Sequence, residues 1–306
     1  MEKVFVTGAA GFIGKMLVRQ LIEQEYIVYA LVLPTENPDF GVKTDKLNII
    51  RGNLENIDDI STALHEEGID LIYHLAWIGV STKLKNDYEM QFKNVQFGLN
   101  MMRLAQQIGC SKVVITGSVS EYAYANGMVN GKQVPSPSDA YSATKASVHI
   151  YCDLFARQNG MVLNWLLIPS IYGPGRDDNN LISYCIKSLL TGEKPSFTKL
   201  EQKWDYIYIT DLINALVLVG RSQTGNKTYC VGSGKNMALS EYVTIIRDII
   251  NPDAELGIGD LEYKTNTIDN SIVDISEIVR DTGYKPLVDF KEGIIQTINY
   301  FKGMVR

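Results

Sequence analysis

Residues 3–14 read KVFVTGAAGFIG. Val4 to Thr7 is a short apolar run of strand type, and glycine then punctuates the chain at Gly8, Gly11 and Gly14 as a helix-length amphipathic segment begins. Glycine at these places permits a tight turn, a close approach of backbone to a diphosphate, and close packing of helix on strand. The helix N-terminus then faces the diphosphate, and its unpaired amides and aligned dipoles favour that negative charge. At the head of a βαβ unit this turn predicts dinucleotide binding through Gly8, Gly11, Phe12, Ile13 and Gly14.

The same alternation runs outward to about Pro169. Apolar runs at Val4–Thr7, Ile27–Leu33, Leu47–Gly52, Leu71–Leu75, Lys112–Thr116 and Leu163–Ile168 are separated by amphipathic segments of helix length. Six strands in that order predict an α/β fold, a doubly wound parallel sheet of Rossmann type. After Pro169 the pattern loosens: SIYGPGRDDNN reads as a loop leaving the sheet, Leu181–Leu190 as a helix, YIYIT and TYCVG as strands around the helix DLINALVLVG. LSEYVTIIRDII reads as a further helix with Ser240 as its N-cap. The expected organisation is a dinucleotide-binding domain of residues 1–169 and about 205–235, with 170–204 and 236–306 forming a smaller, discontinuous lobe.

Composition narrows the partners. The chain has 306 residues, 45% hydrophobic, and a formal net charge of −6 without a basic run, which argues against nucleic acid or an anionic membrane surface. Cys110, Cys152, Cys185 and Cys230 form no Cys-x-x-Cys pair, and His65, His74 and His149 are not spaced with them as metal ligands, so a reduced, metal-free protein is expected. The first residues lack a signal-peptide layout and no long apolar run occurs, which makes a cytoplasmic location the expectation.

Tyr141 and Lys145 form the chain's Tyr-x-x-x-Lys spacing, which chance alone supplies in a sequence with 17 Tyr; its context singles it out. Tyr141 follows the turn-rich PSPSDA, Lys145 lies one helical turn on, and Ser118 ends an earlier strand. Hydride transfer to a carbonyl creates an alkoxide that needs a proton, and a phenol with pKa near ~10 needs help to deliver and recover it near neutrality. Bringing that pKa down takes roughly 4 kcal/mol of differential electrostatics, within reach of a close ammonium in a desolvated cleft. Ser118 would hydrogen-bond the reacting oxygen. At the end of the second strand, Val32, Leu33, Pro34 and Thr35 offer neither the carboxylate typical of NAD sites nor the Arg typical of NADP sites; with no carboxylate to repel a 2′-phosphate, the balance leans slightly to NADP, with NAD open.

With these residues in hand, essentially the whole chain resembles the extended short-chain dehydrogenase/reductase family, in its NAD-dependent epimerase/dehydratase group. The likeness is carried by Gly8, Gly11 and Gly14; by His74, Leu75 and Ala76; by Asn94; by Ser118 four residues before Tyr122; by Tyr141 and Lys145; by IYGPG from Ile171; and by Asp205 in WDYIYITD. The resemblance implies that Leu75, Ala76 and Trp77 line the nicotinamide side, Pro169 and Ile171 the carboxamide, and Lys145 the ribose, with Asn94 and Thr116 nearby. Asn53, where relatives carry Asp, and Leu54 would lie near the adenine.

By the same likeness the substrate is a nucleotide-activated deoxysugar, bound by Ser120 beside the catalytic serine and by Arg176, Asn180, Lys203 and Trp204 of the smaller lobe. Trp204 stands where relatives carry a diphosphate-binding Arg, so Lys203 or Arg176 supplies the cation, while Trp204 either stacks on the base or fills core. Asp205 is expected to brace the fold and His74 to be a satisfied structural histidine. Dehydratases of the group carry Asp-Glu after the catalytic Ser or Thr; here Val119 and Ser120 stand there and Glu121 lies one residue on. That departure disfavours dehydration, and the stretch YGPGRDDNNLISYCIKSLLTGEKPSF followed by QKWDYIYITD resembles 4-ketoreductases and epimerases of deoxysugars, which implies reduction of a 4-keto sugar, with epimerisation through a transient ketone as the alternative. A reductase of a non-nucleotide ketone and a non-catalytic NADP sensor are the remaining classes. A homodimer is expected through the helices near Val95–Ile108 and Ala143–Arg157.

Overall fold

A computed structural model describes residues 2–123, 128–176, 180–263 and 272–304. The first half contains β1 (Lys3–Thr7), α1 (Phe12–Glu23), β2 (Ile27–Val32), β3 (Leu47–Arg51), α2 (Asp58–Leu64), β4 (Leu71–His74), α3 (Tyr88–Gln107) and β5 (Lys112–Thr116). A short 3₁₀ turn (Val119–Tyr122) leads to α4 (Ala140–Gln158), β6 (Val162–Leu167), β7 (Ser170–Tyr172), α5 (Leu181–Leu190), β8 (Ser196–Phe197), β9 (Lys203–Trp204) and β10 (Tyr206–Tyr208). The remainder is α6 (Ile209–Arg221), β11 (Lys227–Cys230), β12 (Met237–Ala238), α7 (Leu239–Ile250), β13 (Gly257–Ile258), α8 (Ser276–Thr282) and α9 (Phe290–Met304).

Seven parallel strands form one sheet in the order β3-β2-β1-β4-β5-β6-β11. The chain winds outward from β1 to β3, returns to β4, and winds outward the other way, so the order reverses between β1 and β4. In such sheets the crevice at the carboxyl ends of the two central strands is where ligands bind. Thr7 and His74 pair across that point. The period of two along β1 sends Val4 and Val6 into one core with Leu17 and Leu21 of α1 and Leu212 and Leu216 of α6, while Phe5 joins Met101 and Leu104 of α3 and Cys152 of α4 on the other face. At the α3–α4 crossing a Cβ on Gly98 would sit 2.6 Å from Val148 Cγ1, so glycine sets how closely these helices approach.

The six expected strands form within a residue of their expected bounds, and TYCVG rejoins the main sheet as β11. Three expectations differ. YIYIT yields a strand only to Tyr208, which pairs with β7, because Ile209 already opens α6. SIYGPGRDDNN begins as β7 rather than loop, and its residues 177–179 lie outside the described residues. Ser240 is not an N-cap: α7 starts at Leu239, the Glu241 carboxylate accepts from the Ala238 amide (3.0 Å), and the Ser240 amide is spent on the Leu200 carbonyl (3.1 Å).

The last third is tied to the sheet by buried carboxylates. Asp205 accepts from the Ser233 amide (2.9 Å), the Ser233 hydroxyl (2.7 Å) and the Gly234 amide (3.0 Å), bracing the fold as expected. Asp211 accepts from the Leu287 and Val288 amides at 2.9 and 3.0 Å. Residues of α5, α7 and α9, such as Ile186, Val243 and Ile294, bury themselves in the same core as α1 and α6. Among the described residues no helix is long and apolar enough to cross a membrane, and the four cysteines are free and buried.

Candidate active site

The glycine turn is built for a backbone ligand. Gly8 has φ +67°, and the Gly11 amide closes the turn on its carbonyl at 3.0 Å. A Cβ on Gly8 would stand 2.7 Å from the Ala76 amide nitrogen, and one on Gly14 would stand 2.1 Å from the Gly8 carbonyl oxygen. Helix α1 begins at once with Gly11 as its cap, no side chain capping its first amides and no acidic residue in its first turn. Those amides, beside Phe12 and Ile13, are free to receive a diphosphate, so the residues present fit a dinucleotide.

The neighbouring wall is held from behind. The Thr7 hydroxyl contacts His74 Nδ1 (2.7 Å) and accepts from the Ala76 amide (3.3 Å). Asn94, expected beside the cofactor, spends its amide oxygen on the Ile78 amide (3.0 Å) and its NH₂ on the Ile78 carbonyl (3.1 Å), so it braces the Leu75–Ile78 segment. Trp77 is anchored by its indole N–H to Gln91 Oε1 at 3.2 Å. At the far end of the crevice, the Asn53 side-chain oxygen accepts from the Glu55 and Asn56 amides (3.0 and 3.2 Å), shaping a turn above the buried Leu54.

The reading that neither carboxylate nor cation stands at the end of β2 differs from the structure. Glu36 folds back to accept from the Leu33 amide (2.9 Å), and Arg51, the last residue of β3, donates to the Glu36 carbonyl (2.7 Å). Arg51 arrives through the parallel register, which pairs it with Val32, whereas Glu36 lies only three residues past Leu33 and reaches back by a local turn.

Ser118, Tyr141 and Lys145 come together where β5 and α4 meet. Asp139 caps α4 by accepting from the Ser142 amide (2.7 Å), which places Tyr141 on the first turn, and Lys145 reaches the Thr116 carbonyl (2.7 Å) at the end of β5. The Ser118 hydroxyl interacts with the Tyr141 phenol, favouring the phenolate, and lies 2.8 Å from the Ser120 hydroxyl. The Trp77 ring packs edge-on against Tyr141 (5.8 Å, 74°) and covers the Lys145 ammonium at 3.7 Å. Lys85 stands 5.1 Å from the centre of the Tyr141 ring.

The expected depression of Tyr141 draws on the positive nicotinamide as well as on the lysine; the protein groups alone act, in sum, in the opposite direction. Burial pushes the phenol up to about 12, Ser118 opposing it, while burial drives Lys145 down to about 7 against the pull of the Glu121 carboxylate. Desolvation is the largest influence on each, favouring the neutral form of both groups. Burial, with Lys145 second, also holds His74 down to about 3, as befits a structural histidine hydrogen-bonded to a hydroxyl.

Glu121 is turned inward, fully buried, with its carboxylate on the Ser118 amide (2.9 Å) and the Trp165 indole (3.0 Å). Its pattern was visible as Ser-x-x-Glu, a capping box over residues 118–121. Of the expected substrate contacts, Arg176 donates to the Ile171 carbonyl and acts on Tyr141, lowering its pKa; a Cβ on neighbouring Gly175 would lie 3.6 Å from the Phe12 ring, which brings this loop over the start of α1. Asn180 caps α5, accepting from the Ile182 and Ser183 amides (2.9 and 3.1 Å). Lys203 is exposed on β9, and Trp204 packs on the core with its indole N–H on the Ser170 hydroxyl (2.9 Å), next to the buried Pro169 and half-buried Ile171.

Comparison with known proteins follows the same lines. Residues 4–232 match the model of the NAD dependent epimerase/dehydratase family. The chain is 25% identical to UDP-glucose 4-epimerase of Mycolicibacterium smegmatis, covering 98% of each chain, and 22% identical to dTDP-4-dehydro-6-deoxyglucose reductase of Escherichia coli, covering 96% of each. Among solved structures it is similar to MoeE5 in complex with UDP-glucuronic acid and NAD, with 25% identity, TM-score 0.86 and 99% of each chain covered.

Proposed function

The chain belongs to the NAD dependent epimerase/dehydratase family, and on that premise we propose that it is an NAD(P)-dependent enzyme acting at C4 of a nucleotide-activated sugar. The observation that carries this reading is the convergence of Ser118, Tyr141 and Lys145 beside the glycine turn, with the Glu121 carboxylate directed into the core. A dehydratase needs a carboxylic acid and base at the sugar; here the carboxylate nearest Ser118 in sequence is buried as a cap.

Gly8, Gly11, Phe12, Ile13 and Gly14 would hold the diphosphate, Leu75, Ala76 and Trp77 the nicotinamide side, Pro169 and Ile171 the carboxamide, and Asn53 and Leu54 the adenine end. When bound, the nicotinamide supplies the hydride acceptor and donor. Tyr141 exchanges the C4 hydroxyl proton at its phenolic oxygen, Ser118 hydrogen-bonds the same sugar oxygen, and Lys145 orients the ribose and favours the phenolate. Glu36, four residues past β2, moves our preference from NADP to NAD, since a carboxylate there repels a 2′-phosphate while the Arg51 guanidinium is engaged by the Glu36 carbonyl. Residues 170–204 and 236–306 form the substrate lobe, where Arg176 faces the sugar diphosphate. Asn180, Lys203 and Trp204 shape its rim, and Ser120 supports Ser118.

Between the two outcomes, the likeness to a UDP-glucose 4-epimerase over nearly the whole chain tips the balance from reduction to epimerisation. The likeness to a dTDP-4-dehydro-6-deoxyglucose reductase keeps 4-keto reduction as the second reading. The enzyme is a homodimer through α3 and α4, whose outer faces present exposed Tyr88, Phe92, Ile150, Tyr151 and Leu154. The test offers purified protein UDP-sugars with NAD or NADP, and 4-keto-6-deoxy nucleotide sugars with NADH or NADPH, beside Tyr141→Phe. Isomerisation of a UDP-sugar with no net reduction of the cofactor, abolished in the variant, is the expected result. Stoichiometric loss of cofactor establishes the reductase, and turnover that survives in Tyr141→Phe refutes the site.

A further inference from the structure

Behind Ser118 lies a polar cluster that the proton chemistry does not use. One oxygen of the buried Glu121 carboxylate accepts from the Ser118 amide (2.9 Å) and the Trp165 indole (3.0 Å); the other faces His149 Nδ1 at 3.3 Å. His149 Nε2 lies 3.0 Å from the Thr228 hydroxyl, and its ring stacks on Trp165 at 4.4 Å with 2° between planes. Gly117 makes the room: a Cβ there would fall 2.0 Å from Trp165 Nε1 and 2.7 Å from Glu121 Oε1. On its outer side His149 borders a cavity of about 280 Å³, shared with Tyr122, Asp153, Asn226 and Lys227.

A buried carboxylate is costly unless its lone pairs are filled, and a cap for a four-residue turn does not need a full charge. This one is filled by the amide of Ser118, so the position of the serine is bound to the position of the carboxylate. Its charge also reaches Lys145 and Tyr141, favouring the protonated form of each. Ionisable groups acting with Glu121 are His149, Lys145 and Tyr141 from α4, Tyr122 from its own turn and Cys230 from β11. Asp153 from α4 and Lys227 from β11, itself paired with Glu277 and Asp281, share the outer cavity with His149.

We propose that Glu121, seated on His149, is a positioning residue: its carboxylate holds Ser118 in register with Tyr141, and its charge acts on the reacting pair from behind. This rests on the roles proposed above for Ser118, Tyr141 and Lys145. Two variants separate the parts. Glu121→Gln keeps an acceptor oxygen for Ser118 and Trp165 but removes the charge, and Glu121→Leu removes both.

The substrate-free readout is the pH titration of Lys145 in ¹³C-lysine-labelled protein, with and without NAD, assigned with Lys145→Met. In Glu121→Gln the Lys145 midpoint moves to lower pH by on the order of one unit, as loss of a near carboxylate requires; a midpoint unchanged from the wild type overturns the electrostatic part. With UDP-glucose or dTDP-4-keto-6-deoxyglucose, whichever the wild type turns over, Glu121→Leu lowers kcat by about tenfold or more while KM stays within about twofold. Should Glu121→Leu fail to fold, the Glu121→Gln kcat–pH profile decides: its limb for the Tyr141 proton shifts to lower pH, and superposition on the wild type refutes the proposal. Wild-type kcat in Tyr141→Phe overturns the site reading, and this one with it.

Discussion

His74 should make the protein lose stability in mild acid by a calculable amount. It ends β4 at 2% exposure, hydrogen-bonded to the Thr7 hydroxyl, and burial with the charge of Lys145 holds it down to about 3 from an ordinary 6.5. The unfolded chain therefore takes up a proton between those values that the folded chain refuses. The favourable difference is intact above about pH 6.5 and is lost as pH falls toward 3, at about 1.4 kcal/mol per unit. Between pH 7 and pH 5 this amounts to about 2 kcal/mol. Urea unfolding of the wild type and His74→Asn at both pH values isolates it, because Asn does not titrate and all other groups are shared. The variant is expected to be less stable at pH 7 and to lose about 2 kcal/mol less than the wild type on going to pH 5. Equal losses within about 0.5 kcal/mol would refute the reasoning, since an imidazole that protonates freely in the folded state contributes no such slope.

Gly14→Ala places a Cβ 2.1 Å from the Gly8 carbonyl, against backbone that cannot rotate away; it should cost about 3 kcal/mol in urea unfolding and abolish NADH binding followed by fluorescence. Lys112 Nζ donates to the carbonyls of Val219 (3.0 Å), Gly220 (2.6 Å) and Ser222 at the end of α6, so Lys112→Met should cost about 2 kcal/mol in urea. Phe92 and Tyr151 are 72% and 51% exposed on the α3–α4 face; Phe92→Asp with Tyr151→Asp should convert a dimer to a monomer in sedimentation velocity, and a wild type that already sediments as a monomer refutes the interface.

What the sequence made legible is what depends on neighbours in the chain. Strand runs of period two, the glycine turn between β1 and α1, and the one-turn spacing of Tyr141 and Lys145 are local patterns, and each stands where it was read. The misreadings are of two physical kinds. Arg51 comes to the end of β2 through strand register, for which the sequence near it carries no mark, whereas Glu36 was within three residues of Leu33 and needed only a local turn to fold back. Ser240 looks like a cap by type, but Leu200 supplied a carbonyl to its amide from 40 residues away and α7 starts two residues earlier, capped at Ala238. What spacing does not carry is the burial that raises Tyr141 and lowers Lys145, because that is a property of the assembled cleft.

Glu121 shows how one pattern carries two meanings. Ser118-x-x-Glu121 is a helix-start signature, and the structure honours it: the serine hydroxyl accepts from the Ser120 amide (3.2 Å) and the glutamate returns to the serine amide (2.9 Å). The same serine hydroxyl faces Tyr141. A cap that only started a turn would leave that hydroxyl committed to the backbone; here it also has to serve a reacting oxygen. The second anchor, from carboxylate to amide, is what allows the turn to keep its shape when the hydroxyl changes partner. An alanine at position 121 would therefore leave the turn dependent on the one bond that catalysis must interrupt, which is why the loss is expected in kcat rather than in KM.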